Sequence, residues 1–114
     1  MRIAVTCDES GAMSGYFGKS TLLYLAEAEA GRIVARNSRP LGPDGLNAAN
    51  LYKLQDCDSV VCKGIGPGSA EALRARGITP YVVDRPMEPD EAVLALLEGR
   101  LKQSGMYAAG DRVS

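Results

Sequence analysis

Ser59-Val60-Val61-Cys62-Lys63-Gly64-Ile65-Gly66-Pro67-Gly68-Ser69-Ala70-Glu71-Ala72-Leu73 runs from a short apolar stretch through a glycine-rich turn into a helical pattern. A strand, a glycine turn and a helix start in that order mark a crossover of an α/β sheet. At such a turn the N–H groups of the helix start can face a bound anion or cofactor. Glycines there also have a purely structural reading, because they permit a tight turn and close approach of helix to sheet. Pro67 suits the first helical position and Gly77 the residue past the last turn, so a helix is expected over Pro67 to Arg76.

Upstream of this crossover, Ile3 to Cys7 reads as a buried strand and Asp8 to Ser14 as a polar loop. Thr21 to Ala30 carries two conflicting signals. Its Leu, Ala and Glu content favours a helix. The alternation Ala26-Glu27-Ala28-Glu29-Ala30 fits a strand with one wet face. Taken alone, propensity tips this segment towards helix. Gly31 breaks the pattern before Ile33-Val34-Ala35, a further strand. Asn37 to Gly45 holds two prolines and two glycines and reads as a loop. Leu46, Ala49, Leu51 and Leu54 suit a short helix before the strand Ser59 to Cys62. Downstream, Ile78 to Val83 is a strand in which Pro80 points to an edge position. Pro89 to Leu97 is a helix with proline in its first turn and Gly99 beyond its end. Arg100 to Ser114 lacks periodicity and reads as a frayed tail.

The chain has 114 residues, the size of one domain with a single core. Its 13 basic and 14 acidic residues give a net charge of −1, so no basic excess attracts nucleic acid. Phe17 and five tyrosines are its aromatic residues, too few for a base-stacking platform. No apolar run approaches the length of a membrane span. Met1-Arg2-Ile3-Ala4-Val5 enters a strand directly, without a signal-peptide layout, so a cytoplasmic location is expected. In that reducing compartment three cysteines read as free thiols or metal ligands rather than structural disulfides. Histidine is absent, which removes the commonest general base and the commonest metal ligand.

Gly18-Lys19-Ser20-Thr21 is similar to the end of a phosphate-binding loop, but the glycine that the full motif requires is Met13 here. A loop-to-strand junction is the better reading. Asp8, Glu9 and Asp44 read as solvated loop charges rather than a catalytic set, since two-metal chemistry needs further acidic residues on a sheet.

Several segments together resemble one family. Met1-Arg2-Ile3-Ala4-Val5-Thr6 with Asp8 is similar to its opening strand and loop. Tyr16-Phe17-Gly18-Lys19-Ser20 is similar to its His-Phe-Gly-Arg-Ala signature, with Tyr16 in the place of the histidine. Leu54-Gln55-Asp56-Cys57-Asp58 before Val60-Val61 resembles its fourth-strand entry. Gly64-Ile65-Gly66-Pro67-Gly68 with Ala72-Leu73 and Gly77-Ile78 resembles its glycine turn and following helix. Glu91-Ala92-Val93 with Leu97-Glu98-Gly99 and Leu101 resembles its closing helix. These features are those of the dinitrogenase iron–molybdenum cofactor biosynthesis family, relatives of the nitrogen-fixation X and Y proteins.

The resemblance implies a ribonuclease-H-like motif: a five-stranded mixed sheet in the order 3-2-1-4-5, with strand 2 antiparallel and helices on both faces. It implies one domain over residues 1–101 and a flexible tail over 102–114. It makes Thr21 to Ala30 a strand that turns near Gly31 and pairs with Ile33 to Ser38. It also implies a non-enzymatic carrier or scaffold for an iron–sulfur or iron–molybdenum cluster or its precursor. Partners would be cluster donor or acceptor proteins, without nucleic acid or membrane, and the chain a monomer or weak homodimer. Tyr16, Gly18, Lys19, Gly64, Gly66 and Gly68 become the candidate cofactor-binding residues. An anion- or small-molecule-binding regulatory module without metal is the alternative.

With that strand order, Cys7 and Cys62 end adjacent parallel strands. Such strands lie about 4.8 Å apart, so the two thiols are expected to approach each other as metal ligands, with Cys57 at the opposite end. Cys62, just before the glycine turn, is expected to be the more reactive thiol if accessible. Buried free cysteine acting as a small apolar residue is the competing reading.

Overall fold

The computed structural model describes residues 1–103. Its centre is β1 (Arg2–Cys7), buried at every position from Ile3 onward. A strand covered on both faces must be apolar throughout, and Ile3-Ala4-Val5 meets that demand. β1 pairs antiparallel with β2 (Leu22–Glu29) and parallel with β4 (Ser59–Cys62). β3 (Arg32–Pro40) lies outside β2. β5 (Thr79–Val82) runs parallel to β4, and β6 (Lys102–Gln103) closes the far edge antiparallel to β5. The sheet order is β3-β2-β1-β4-β5-β6. The expected order is present, but the sheet has six strands rather than five. Lys102 and Gln103, expected in the tail, form the sixth; the rest of that segment lies outside the described residues.

Thr21 to Ala30 shows tertiary context overriding propensity. Leu23, Leu25, Ala26 and Ala28 are buried against the sheet's two faces, a pattern available to a strand in contact with β1. The hairpin closes through Ala30 and Gly31, which lie between the paired residues Glu29 and Arg32. Both have positive φ, 55° and 79°, as the tightest hairpin turns require. Pro80 also finds a physical account. β6 pairs only with Tyr81 and Val82, so Pro80 faces no ladder on that side and its missing N–H costs nothing there.

Side chains of successive residues leave the sheet on opposite faces, and two cores result. On one face Ala4, Leu23, Leu25, Val60 and Cys62 pack with Leu73 of α1 (Pro67–Ala75) and with Leu51 and Leu54 of a 3₁₀ segment, Ala48–Leu54. On the other, Ile3, Val5, Cys7, Ala26 and Val61 pack with Ala92, Val93 and Leu96 of α2 (Pro89–Leu97). The helices therefore cover both faces. At the amino end of β1, Arg2 binds the carboxylates of Glu27 and Asp56, and Arg39 binds Asp56 at 2.9 Å. Asp56 is thereby held well below the usual carboxylate range, chiefly by its hydrogen bond from Arg39.

Candidate functional site

The carboxyl ends of β1 and β4 meet the loop that follows β1 and the turn that follows β4. Asp8 starts the first of these loops. Its carboxylate accepts hydrogen bonds from Ser10 N at 2.9 Å and Ser10 Oγ at 2.6 Å, and Gly11 N returns to Asp8 O. These bonds to Ser10 lower its pKa and commit the carboxylate to loop closure.

The loop then returns through Met13, which bridges Cys7, to a short 3₁₀ turn at Phe17–Lys19. Phe17 is the anchor. Its side chain is buried in the core under α1, an insertion worth roughly 1.5–3 kcal/mol for a residue of its size. Its N–H donates to Gly64 O at 2.7 Å, which ties the loop to the glycine turn. Beneath the turn the buried hydroxyls of Ser14 and Ser20 lie 2.8 Å apart, and each is within 3.3 Å of Tyr16 O. One hydroxyl gives its proton to the other, and the second gives its own to the carbonyl. Neither of these two hydroxyls is left idle, and the Tyr16 backbone is fixed.

Tyr16 itself projects from this base, with 46% of its surface exposed. Its ring lies between the two glycine segments. A Cβ on Gly64 would stand 3.2 Å from Tyr16 Cδ1, and one on Gly66 3.0 Å from Tyr16 Oη. On the opposite ring edge, a Cβ on Gly18 would stand 3.7 Å from Cδ2 and Cε2. Gly64 and Gly66 thus form a shelf that lacks side chains where the ring passes. Gly66 is also the N-cap of α1, with extended backbone and no side-chain capping bond. Pro67 contributes no N–H, so the amides of Gly68 and Ser69 open the helix towards this edge.

The structure therefore brings Tyr16, Gly18, Gly64 and Gly66 together. Lys19 is exposed in the 3₁₀ turn, and Lys63 is partly buried beside Gly64. Gly68 sits in the first turn of α1 with open space around it.

The thiols follow a different geometry. Cys7 and Cys62 do lie at the same end of neighbouring strands, but they do not meet. Val5 pairs with Val61, which aligns Cys62 with Thr6 rather than with Cys7. Cys7 consequently packs in the α2-side core and Cys62 in the α1-side core, where Cys57 also lies. The expected approach of the two sulfurs is corrected by this one-residue offset. All three cysteines are free and buried. Burial pushes Cys7 up to about 11 and Cys57 and Cys62 up to about 12. Cys62 Sγ also lies 3.5 Å from Tyr81 O, to which its thiol proton is directed. The expected activation of Cys62 by the neighbouring helix start needed access, and Cys62 has none.

A further approach was not read from sequence. Gly45, φ +63°, packs against the backbone of Gly18, where a Cβ would meet Gly18 O at 2.2 Å. Within Pro43-Asp44-Gly45 the residue looked like an ordinary turn glycine. The Ser14–Ser20 pair was equally invisible, since nothing in the sequence marks two loop serines as partners.

The dinitrogenase iron–molybdenum cofactor family model matches residues 1–99. The chain belongs to this family. Solved structures agree with that membership in fold. The apo orange protein of Desulfovibrio gigas is similar over 91% of this chain and 92% of its own, at 23% identity and a TM-score of 0.73. A "putative dinitrogenase" of Methanocaldococcus jannaschii is similar over 92% and 95%, at 13% identity and a TM-score of 0.73. A Thermotoga "putative NifB protein" is similar over 90% and 91%, at 21% identity and a TM-score of 0.69. No curated protein matches the chain in sequence. In this family member no described helix is long and apolar enough to cross a membrane.

Proposed function

We propose that this protein is a non-enzymatic carrier or scaffold for an iron–sulfur or iron–molybdenum cluster, or its precursor, received from a donor protein and passed to an acceptor. Family membership supports the cargo class. The observation that carries the reading is the Tyr16 ring set over the Gly64–Gly66 shelf at the carboxyl edge of β1 and β4. Open α/β sheets bind ligands at this edge, where the chain departs to either side of a central strand. We read the sheet as a ribonuclease-H-like motif with one added edge strand.

Clusters built with sulfide carry negative charge. The uncapped start of α1, with Lys19 and Lys63 nearby, offers such a cargo favourable electrostatics. The non-enzymatic reading is supported by the burial of all three thiols, whose raised pKa values keep them protonated, so that among the described residues no cysteine is an activated nucleophile. Cytoplasmic residence and a monomer or weak homodimer complete the proposal. Anaerobic reconstitution with iron and sulfide tests it. Charge-transfer absorption that co-elutes with the protein is expected, and a colourless protein free of iron would overturn the carrier reading.

The uncapped helix start also favours a second reading, an anion-binding regulatory module without metal. Calorimetric binding of molybdate or inorganic phosphate by protein that takes up no iron would put that reading first.

A further inference from the structure

Cys7 and Met13 face each other directly across an antiparallel bridge. The bonds that close it run on either side, from Ser14 N–H to Thr6 O at 3.1 Å and from Asp8 N–H to Ala12 O at 2.8 Å. The pair between them is a non-hydrogen-bonded one, in which Cα atoms stand about 4.5 Å apart and side chains come closest. Both side chains pack in the α2-side core, Cys7 wholly buried and Met13 7% exposed. Partly buried Met87 packs against the same core. It lies three residues before Asp90, which Tyr24 binds, and Tyr24 is two residues along β2 from Leu22, the partner of Cys7. The loop before α2 thus carries a second thioether towards the end of β1 where Cys7 and Met13 meet.

Thiol and thioether come together only here among the described residues. Met1 is exposed, and no methionine packs in the other core beside Cys57 and Cys62. Cys7 is free of any disulfide. Thiolate and thioether sulfurs are soft donors that select copper(I). Charge points the same way. One thiolate and two neutral thioethers around a monovalent ion make a neutral unit, which an apolar core accepts. A divalent ion would leave a net charge there at high cost. Asp8 and Glu9 open the loop that runs from Cys7 to Met13 and put negative charge at its mouth, where a cation would enter.

We propose that Cys7, Met13 and Met87 form a site for a single copper(I) ion in the core under α2, separate from the glycine shelf and independent of the carrier reading. On binding, the Cys7 thiol proton leaves to solvent and an S–Cu bond forms. The Met13 and Met87 sulfurs each donate a lone pair, and the copper gives up the ligands that delivered it. Copper stays in the +1 state and no electron is transferred. The metal replaces the thiol proton as metals generally do when they bind cysteine.

The full chain, free of iron and kept anaerobic, supplies the test. Copper(I) delivered as its acetonitrile complex should bind at one equivalent in competition with a chromophoric chelator, and X-ray absorption should show a first shell of sulfur alone. Bound copper should raise the melting temperature, since it binds only the folded chain. Met13→Leu and Met87→Leu conserve volume and should melt near wild type without metal. Each should nevertheless hold copper at least about tenfold more weakly, the scale on which metal sites respond to loss of a supporting group. Cys7→Ser should lose the site, whereas Cys62→Ala should keep it. Met13→Leu and Met87→Leu that both bind copper like wild type would overturn the inference. So would a nitrogen or oxygen first shell, loss of copper in Cys62→Ala, zinc bound as tightly as copper(I), or wild type that takes up no copper. None of these results touches iron uptake, so the carrier reading stands or falls separately.

Discussion

Gly45 approaches Gly18 so closely that a Cβ on it would stand 2.2 Å from the Gly18 carbonyl oxygen and 3.2 Å from that of Ser20. This contact clamps the loop before the Ala48–Leu54 segment onto the turn that carries Tyr16. Gly45→Ala has to push backbone against backbone, and it also places a side chain at φ +63°. The strained φ costs about 1–2 kcal/mol and the overpacking about 1–3 kcal/mol, so a total loss of roughly 2–5 kcal/mol is expected in urea unfolding. Gly77→Ala is the control. Its φ is +79° with nothing within 4 Å, so the strain alone remains. Equal losses in the two variants would remove the close approach as a cause.

The hairpin between β2 and β3 carries a correctable strain. Ala30 is the one described residue other than glycine with positive φ. Asn tolerates that conformation and is favoured before Gly in two-residue hairpins. Ala30→Asn should stabilise the protein by about 0.5–1 kcal/mol, read as a higher urea midpoint at unchanged slope. Lower stability in Ala30→Asn would contradict the turn geometry.

Sequence reading went furthest where local chemistry decides the structure. Pro67, Gly66 and Gly77 bound α1 by capping rules alone, and Pro89 opens α2 in the same way. Propensity alone failed for Leu22–Glu29, where composition favours helix and pairing with β1 makes the strand that the family resemblance implied. The site was half legible. Glycines at 64 and 66 were visible as a turn, and Tyr16 through the family resemblance. Their mutual contact depends on the Phe17–Gly64 hydrogen bond, which links residues far apart in sequence. The cysteine geometry failed for another reason. Strand ends can be located from pattern, but the face of each side chain depends on a register that sequence does not fix to one residue.

The shelf separates folding from binding. Gly68 is in open space at ordinary φ, so Gly68→Leu should change stability by no more than about 0.5 kcal/mol. Its side chain would nevertheless stand at the start of α1, where the cargo is proposed to lie. Cluster retention after gel filtration should fall while the melting temperature holds. Parallel loss of both would give Gly68 a purely structural role.

The buried thiols make a pH prediction with a definite sign. Cys7 is raised to about 11, and Cys57 and Cys62 to about 12, from an ordinary value of 9.0, in each case chiefly because burial disfavours the thiolate. In the window from about 9 to 12 the folded chain holds these protons while the unfolded chain releases them. Stability is therefore fully present below the unfolded value and declines as pH rises through the folded ones. Urea midpoints should be insensitive to these thiols near neutrality and fall steeply above pH 9. Cys62→Ala should flatten that alkaline decline relative to its own neutral stability, even though it creates a small cavity. A thiol-reactive dye should label none of the three rapidly in the native state at neutral pH, and all three on unfolding. Rapid native labelling of Cys62 would mean that the α1 end of the sheet opens readily. Because Cys7 and Cys62 face different cores, Cys7→Ser and Cys62→Ser should also leave cluster retention close to wild type when measured at a temperature where both variants are folded. Complete loss of iron from both variants, with the fold intact, would instead return the cargo to the thiols and require the two strand ends to part.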